Sequence, residues 1–120
     1  MDDIIILYGI PNCDSCRKAR TWLTAQGIPY RFHDIDIEGT PTKEQLADWS
    51  EAIGWVTLFN RKSTTYRSLS EEDRDGMNAE KVIGLILRYP RLLKRPVLQS
   101  PRGCIAGFDP DLYKGILHDG

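Results

Sequence analysis

Two cysteines lie where a short apolar run meets an amphipathic segment, and this junction constrains the fold more than any other part of the chain. Residues 4–7 are apolar and mostly β-branched, which is typical of a strand covered on both faces. Glycine and proline then interrupt the run. From Asp14 the residues favour a helix, which Gly27 ends. The sequence therefore predicts a strand, a loop and a helix, with Cys13 at the helix start and Cys16 one turn further along.

The predicted position of Cys13 favours its ionised form. The first backbone N–H groups of a helix have no intrahelical partner, and with the helix macrodipole they attract negative charge. Arg17, Lys18 and Arg20 add positive charge within two turns, and Asp14 opposes them. A thiolate is the reactive form of cysteine. We therefore predict that Cys13 is a nucleophile.

Cys16 is placed to attack a mixed disulfide on Cys13 and so to resolve it. Other uses of the pair are a zinc half-site, two inert buried thiols or a structural disulfide. A zinc site needs a second half, and only Cys104, His33 and His118 remain, without ligand spacing. We therefore predict redox chemistry and no bound metal, with Cys104 as a small core residue.

The composition narrows the class of protein. A chain of 120 residues that is 41% hydrophobic is expected to form one domain with an ordinary core. Sixteen Lys and Arg against seventeen Asp and Glu give a net charge of −1, which argues against direct nucleic-acid binding or membrane-surface binding. Three cysteines are too few for a secreted disulfide scaffold, and no apolar run approaches a membrane span. We expect a cytoplasmic protein.

The second strand is predicted over residues 30–37, where apolar and polar residues alternate with a period of two. A strand, a helix and a strand in so short a span imply a parallel pair joined by a crossover. His33 falls on the polar side of this strand. We interpret it as a surface residue, because nothing nearby completes a site.

Residues 42–89 are predicted to form a helical block. Thr42 begins a helix that Gly54 ends, and Leu46, Trp49 and Ile53 share its apolar face. Short turns are expected at residues 55–59 and from Ser70, with a polar loop at residues 60–65. Asn78 caps a second helix with a proline stop, and its predicted inward residues are Val82, Ile83, Ile86 and Leu87.

The last third of the chain is predicted to form two strands and a helix. Strands over residues 91–98 and 104–108 flank a short turn and make an antiparallel hairpin. Asp109 and Pro110 then start the final helix. The order β-α-β, helical insertion, β-β-α predicts an α/β fold with a four-stranded mixed sheet. Residues 1–120 would form a single domain, in which 1–37 and 91–120 make the sheet core and 42–89 the insertion.

This order of elements, with Cys-x-x-Cys after the first strand, resembles the thioredoxin fold, and the details resemble the arsenate reductase family within it. The likeness is greatest to the YffB-like branch, with Spx-like features at the N-terminus. It runs over nearly the whole chain and is carried by LYGIPNCDSCRKARTWL (7–23), YRFHD (30–34), Gly54-Trp55, NRKSTTYRSL (60–69), KRPVL (94–98) and GF (107–108).

The resemblance implies a set of site residues. Cys13 would be the nucleophile, and the Arg95–Pro96 bond would be cis and face it, at a cost of roughly 0.5 to 1 kcal/mol. The substrate-binding residues would be Arg95, Arg17, Arg61, Pro96 and Asn12. Glutathione would serve as co-substrate with no bound cofactor. Glutaredoxin is a candidate partner, and a monomer is expected.

The chain departs from true arsenate reductases of the family at the oxyanion site. Gly9 and Ile10 replace a His-Asn pair, and Phe108 stands where the last arginine of a triad would fall. Arg61 is offset by one residue from the first arginine, where Asn60 aligns. A lost charge-assisted contact costs on the order of 1.5 to 3 kcal/mol. These departures predict weak arsenate reduction.

Three functions are consistent with the sequence. The first is a glutathione-dependent thiol oxidoreductase with Cys13 as nucleophile and Cys16 as resolving thiol. The second is an arsenate reductase that uses glutathione or glutaredoxin as reductant. The third, from a different class, is an Spx-like regulator that contacts RNA polymerase and senses oxidation through its two cysteines.

Overall fold

The computed structural model describes residues 4–117. A 3-10 turn at Pro90–Leu92 precedes the third strand. The other elements are, in chain order, β1 (Ile6–Gly9), α1 (Asp14–Ala25), β2 (Arg31–Asp34), α2 (Ile35–Glu38), α3 (Lys43–Ile53), α4 (Trp55–Leu58), α5 (Thr64–Arg67), α6 (Glu71–Arg74), α7 (Ala79–Arg88), β3 (Val97–Ser100), β4 (Gly103–Ala106) and α8 (Pro110–Leu117).

The described residues pack as two compact units. The first, residues 4–39 and 95–117, contains the sheet with α1, α2 and α8. The second, Thr40–Lys94, is helical. The division lies close to the boundaries expected for the helical insertion, and the single-domain organisation stays a prediction.

The sheet of the first unit has the strand order β2-β1-β3-β4. β1 pairs with β2 in parallel, and Leu7 lies opposite Phe32. β1 and β4 both pair with β3 antiparallel, so that Leu98 lies opposite Leu7 on one side and Ile105 on the other. The predicted α/β fold with a mixed four-stranded sheet is confirmed.

The core of the first unit lies between the sheet and the helices α1 and α8. The sheet, α1 and α8 each contribute side chains to one fully buried cluster. These side chains are Leu7, Ala19, Leu23, Leu98 and Tyr113. At about 1.5 to 3 kcal/mol for each large apolar side chain, this burial fixes α1 on the sheet.

The second unit is built around α3 and α7, which pack against each other. Both helices begin as the sequence predicts: Thr42 Oγ1 accepts a hydrogen bond from the Gln45 N–H at 3.1 Å, and Asn78 Oδ1 accepts one from the Lys81 N–H at 2.9 Å. Trp49 of α3 is buried. The expected turns at α4 and α6 are also present.

Two predicted elements before the insertion have different limits. The first strand runs from Ile6 to Gly9 rather than over residues 4–7, and Ile4 is exposed. The second strand ends at Asp34, because the carboxylate of Asp34 accepts a hydrogen bond from the Asp36 N–H and starts the turn α2. Ile37 is therefore 82% exposed instead of facing the sheet.

Later elements also differ from prediction. β3 begins only at Val97, and the first two residues of the predicted strand, Arg91 and Leu92, belong to the 3-10 turn. β4 covers Gly103–Ala106 and ends before Gly107, which has a φ of 88°. The last residues of the predicted polar loop begin α5, because the Ser63 hydroxyl accepts the Tyr66 N–H.

The buried face of α7 also differs from prediction by one position. Leu85 is buried, and Leu87 is 40% exposed. Val82, Ile83 and Ile86 are inward as predicted. Within residues 4–117, no helix has the length and apolar character needed to span a membrane.

Candidate active site

Cys13 occupies the N-cap position of α1, where the sequence places it. Its backbone is extended, with φ −146° and ψ 122°, and its carbonyl oxygen accepts the first intrahelical bond from the Arg17 N–H at 2.9 Å. The side chain is half-buried and makes no capping hydrogen bond of its own. The sulfur is therefore accessible at a helix end that favours negative charge.

Cys16 lies one turn deeper and is fully buried. Its sulfur packs directly on Gly9, the last residue of β1. A Cβ atom placed on Gly9 would lie 2.6 Å from Cys16 Sγ and 3.4 Å from Cys16 Cβ. The sequence predicted that Gly9 ends an apolar run and replaces a family histidine, but not that it packs on Cys16; a glycine that closes a buried strand is the signal that could have indicated this contact.

The surroundings of Cys13 lower the pKa of its thiol. Partial burial raises this pKa, but four favourable influences on the thiolate outweigh the burial. In order of size they are the Cys16 thiol, the Cys16 backbone N–H, the Arg95 guanidinium and the Ser15 backbone N–H. Cys13 therefore ionises more readily than an ordinary cysteine.

The surroundings of Cys16 have the opposite effect. Burial, followed by the interaction with the Cys13 side chain, raises the pKa of the Cys16 thiol to about 12. The backbone at Ile10 and the charge of Arg95 favour the thiolate but do not compensate. Cys16 is therefore a protonated thiol at neutral pH, placed beside a thiol that ionises readily.

The Arg95–Pro96 peptide bond is cis, as the family resemblance implies. β3 follows at once, and Val97 pairs with Tyr8 of β1. One step further along this antiparallel register, Pro96 lies opposite Gly9, beside the loop that carries the cysteines. Pro96 is buried, and its carbonyl oxygen accepts a hydrogen bond from the Gly107 N–H at 2.7 Å.

Two further predicted substrate-binding residues, Asn12 and Arg17, lie at the same helix start. Both are exposed, and Arg17 donates a hydrogen bond to Asn12 Oδ1 at 3.4 Å. Arg17 also forms an ion pair with Asp14. The structure thus brings Asn12 and Arg17 together beside Cys13, and their roles in binding stay predictions.

Arg61 belongs to the second unit. It is exposed, and its guanidinium lies over the Trp55 ring at 6.0 Å from the ring centroid. Its predicted substrate contact is not tested by this arrangement and stays a prediction.

Phe108, which the family resemblance aligns with an arginine, belongs to an aromatic cluster that the sequence did not predict. Its ring centroid lies 5.2 Å from that of Tyr113 and 6.4 Å from that of Trp22. Trp22 and Tyr113 also meet edge to face, at 5.8 Å. The Tyr113 hydroxyl donates to the Gly107 carbonyl oxygen at 2.8 Å. The rings of Trp22, Phe108 and Tyr113 thus form one aromatic cluster.

The remaining histidines and cysteine that were considered as metal ligands do not form a site with Cys13 and Cys16 in the described residues. His33 Nε2 lies 2.8 Å from the Gly39 carbonyl oxygen and its ring lies 4.7 Å from that of Tyr8, so His33 supports the loop after β2. Cys104 is half-buried on β4, opposite Gln99. His118 lies outside the described residues. Among residues 4–117, no group of three His, Cys, Asp or Glu side chains could hold a metal ion.

The fold and sequence are similar to those of known proteins over nearly their whole length. The YffB protein has 39% sequence identity and a TM-score of 0.88, with 94% of this chain and 98% of that chain covered. An arsenate reductase (ArsC) related protein from Brucella melitensis has 38% identity and a TM-score of 0.71, with coverages of 97% and 96%.

Sequence relatives include the global transcriptional regulator Spx of Listeria innocua. It is 31% identical over 116 residues, which cover 95% of this chain and 87% of the regulator. The profile of the ArsC family matches residues 8–116. The chain therefore belongs to the ArsC family and has its arsenate reductase-like thioredoxin fold.

Proposed function

We propose that the chain is a glutathione-dependent thiol–disulfide oxidoreductase in which Cys13 is the nucleophile and Cys16 the resolving thiol. The observation that carries the proposal is the contrast between the two thiols, since the accessible one has a lowered pKa and its buried neighbour a raised one. A pair of this kind provides one thiolate that can attack a disulfide and one protonated thiol that can later resolve the mixed disulfide.

In the first step, the Cys13 thiolate attacks the glutathione sulfur of a mixed disulfide between glutathione and a substrate thiol. A sulfur–sulfur bond forms between Cys13 and glutathione, and the original bond breaks. The substrate leaves as a thiolate and takes a proton from water. The positive charge of Arg95 near Cys13 favours the thiolate from which this step starts.

Two routes complete the reaction. In the first, Cys16 loses its proton and its sulfur attacks the Cys13 sulfur, which releases glutathione and forms a Cys13–Cys16 disulfide. Two further glutathione molecules reduce that disulfide and leave as oxidised glutathione. In the second, a glutathione thiolate attacks the bound glutathione directly and releases the Cys13 thiolate. The raised pKa of Cys16 slows the first route and lets the second compete.

Glutathione carries carboxylates, and cations near Cys13 suit them. Arg95 and Arg17 are placed in the same unit as Cys13, and Asn12 offers an amide beside it. We assign these residues to glutathione binding, with Pro96 beside the loop and Arg61 as an additional cation. The chemistry requires reduced thiols, which is consistent with a cytoplasmic location.

Arsenate reduction is the alternative within the enzyme class, because the chain belongs to the ArsC family. Phe108 argues against it, since an aromatic cluster occupies the place of an oxyanion-binding arginine. Gly9 and Ile10 also replace the His-Asn pair. We therefore expect disulfides to be the better substrates.

A second candidate function, regulation, is favoured by the 31% identity to a global transcriptional regulator over 95% of the chain. In this case the same cysteine pair would sense oxidation and control binding to RNA polymerase. A pull-down with polymerase subunits, using reduced and oxidised protein, tests this candidate. Complex formation only after oxidation, and not by a Cys13→Ser variant, would support it.

The proposed enzyme is tested by a coupled assay in which glutathione reductase consumes NADPH as oxidised glutathione appears. The substrates are cysteine–glutathione mixed disulfide and arsenate, each assayed with the native protein and with Cys13→Ser. We expect Cys13-dependent turnover of the disulfide and little of arsenate. Turnover of arsenate alone would favour arsenate reduction, and no Cys13-dependent turnover of either would refute the proposed enzyme.

A further inference from the structure

A groove of about 700 Å³ runs along α1 on the side that faces the start of α8. It begins at Asp14, the residue after Cys13, and extends to Ala25 at the end of α1. Of the side chains that line it, the reaction proposed above uses only Arg17, at the end next to Cys13. Its lining includes Arg17, Lys18, Trp22, Ala25, Phe108 and Pro110.

The chemistry of the groove changes along its length. Close to Cys13 it is charged, with Arg17 and Lys18 against the single carboxylate of Asp14. Further along it is apolar, where the half-buried rings of Trp22 and Phe108 meet Ala25 and Pro110. A ligand that fits both parts carries negative charge near Cys13 and an apolar group farther away.

The length of the groove excludes glutathione as the ligand that fills it. An α-helix rises about 1.5 Å per residue, so Trp22 lies about 13 Å from Cys13 along the axis of α1. An extended chain advances about 3.3 Å per residue, so about four residues separate a sulfur at Cys13 from a side chain at Trp22. Glutathione has one residue on each side of its cysteine and cannot reach that far.

We infer that this groove binds a polypeptide substrate, with an acidic residue beside its disulfide-bonded cysteine and an apolar side chain about four residues away. The acidic residue lies against Arg17 and Lys18, and the apolar side chain packs between Trp22 and Phe108. This inference rests on the proposed function and names its substrate class, a glutathionylated protein segment.

Five disulfides of glutathione test the inference in the coupled assay. Four are peptides with aspartate next to the cysteine: two carry leucine or serine four residues after the cysteine, and two carry leucine or serine four residues before it. The fifth is the cysteine–glutathione mixed disulfide, which cannot reach the apolar end of the groove. We expect the leucine peptide in one direction to have a kcat/KM about tenfold above that of the serine peptide, the value expected for burying one such side chain.

Two variants on the same exposed helix surface provide the matched comparison. Ala25→Arg fills the apolar end of the groove, whereas Thr24→Arg adds the same side chain outside it. We expect Ala25→Arg to abolish the tenfold preference for leucine and Thr24→Arg to keep it. Lys18→Glu places a negative charge where the peptide's aspartate is expected to lie. It should therefore lower the kcat/KM of the aspartate peptide relative to the kcat/KM of the small disulfide.

The outcomes separate the two proposals. Equal kcat/KM for the leucine and serine peptides in both directions, with active turnover of the small disulfide, would refute the inference that the groove binds a polypeptide substrate. The proposed enzyme activity would then still stand. An equal loss of preference in Ala25→Arg and Thr24→Arg would also refute the inference about the groove. No turnover of the small disulfide would refute the proposed function, and the groove's substrate with it.

Discussion

The two ends of the Cys13–Cys16 motif differ although they share one turn of α1. Cys13 is half-buried at the helix start, and its surroundings lower its pKa, whereas Cys16 is fully buried and has a pKa of about 12. The helix end contributes to the first shift and burial dominates the second. The comparison teaches that spacing alone does not assign the roles of two thiols, because their depth in the fold decides which one ionises.

The depth of Cys16 depends on Gly9. The 2.6 Å separation between a hypothetical Gly9 Cβ and Cys16 Sγ leaves no room for any side chain at position 9. A side chain at position 9 therefore requires movement of the Cys16 sulfur, of β1 or of α1. The contrast between the two cysteines can therefore be altered by substituting either cysteine or Gly9.

The largest expected effect comes from exchanging each cysteine for serine. Cys13→Ser should lose all catalysed disulfide turnover, because a serine hydroxyl is not ionised at neutral pH and is a poor nucleophile. Cys16→Ser should retain Cys13-dependent turnover through the glutathione route. Kinetics in the coupled assay measure both.

Mass spectrometry sharpens this prediction. After one addition of mixed disulfide without glutathione, the native protein should hold a Cys13–Cys16 disulfide, and Cys16→Ser should carry one glutathione on Cys13. A Cys16→Ser protein that is inactive and carries no glutathione would contradict the assigned roles.

The next effect is on stability. Gly9→Ala should lower the free energy of unfolding by about 1 to 3 kcal/mol, because its methyl group overpacks the buried sulfur of Cys16. Gly115→Ala is the matched control, since Gly115 is an exposed position of α8 with nothing within 4 Å of an added Cβ. It should raise the unfolding free energy by about 0.5 to 1 kcal/mol. Urea denaturation measures both, and equal changes would refute the close contact.

The charge of Arg95 gives a smaller effect. Arg95→Gln should raise the pKa of Cys13, because it removes a positive charge that favours the thiolate. Arg17→Gln is the control, since Arg17 is not among the groups that shift this pKa. The pH dependence of Cys13 alkylation measures the change, and an equal shift in the two variants would contradict the role of Arg95.

The smallest effect is the pH dependence of stability under reducing conditions. The lowered pKa of Cys13 contributes stability that is present above its unfolded value of 9.0 and is lost as the pH falls through the folded value. The raised pKa of Cys16 contributes stability below 9.0 that is lost as the pH rises toward about 12.

Comparison of the native protein with each serine variant isolates these contributions. Relative to Cys13→Ser, the native protein should gain unfolding free energy as the pH rises toward 9.0. Relative to Cys16→Ser, it should lose unfolding free energy as the pH rises above 9.0. Urea denaturation at a series of pH values measures both differences in unfolding free energy. If the two differences changed with pH in the same direction, the opposite pKa shifts of Cys13 and Cys16 would be contradicted.

Much of the fold was predictable because local signals determine it. The caps at Thr42, Ser70 and Asn78 and the N-cap position of Cys13 follow from short-range chemistry, and the structure contains all four. The limits of strands were less predictable. The Asp34 carboxylate ends β2 through a hydrogen bond that competes with continued strand pairing, and an alternating pattern does not reveal that competition.

The missed parts of the site depend on contacts between distant segments. Gly9 meets Cys16 only when α1 packs on the sheet, and Phe108 meets Trp22 only when the start of α8 reaches α1. No spacing rule within one segment predicts such pairs. The N-cap position of Cys13 was predictable because the signals that start a helix are local, whereas the contact between Gly9 and Cys16 and the groove along α1 were not.

The most direct test of this account is the rate of alkylation of each cysteine by iodoacetamide as a function of pH, with the modified residue identified by peptide mapping. The account predicts that Cys13 is alkylated first, with a midpoint below 9.0, and that folded Cys16 is protected well above that pH. Alkylation of Cys16 before Cys13, or a Cys13 midpoint at or above 9.0, would contradict it.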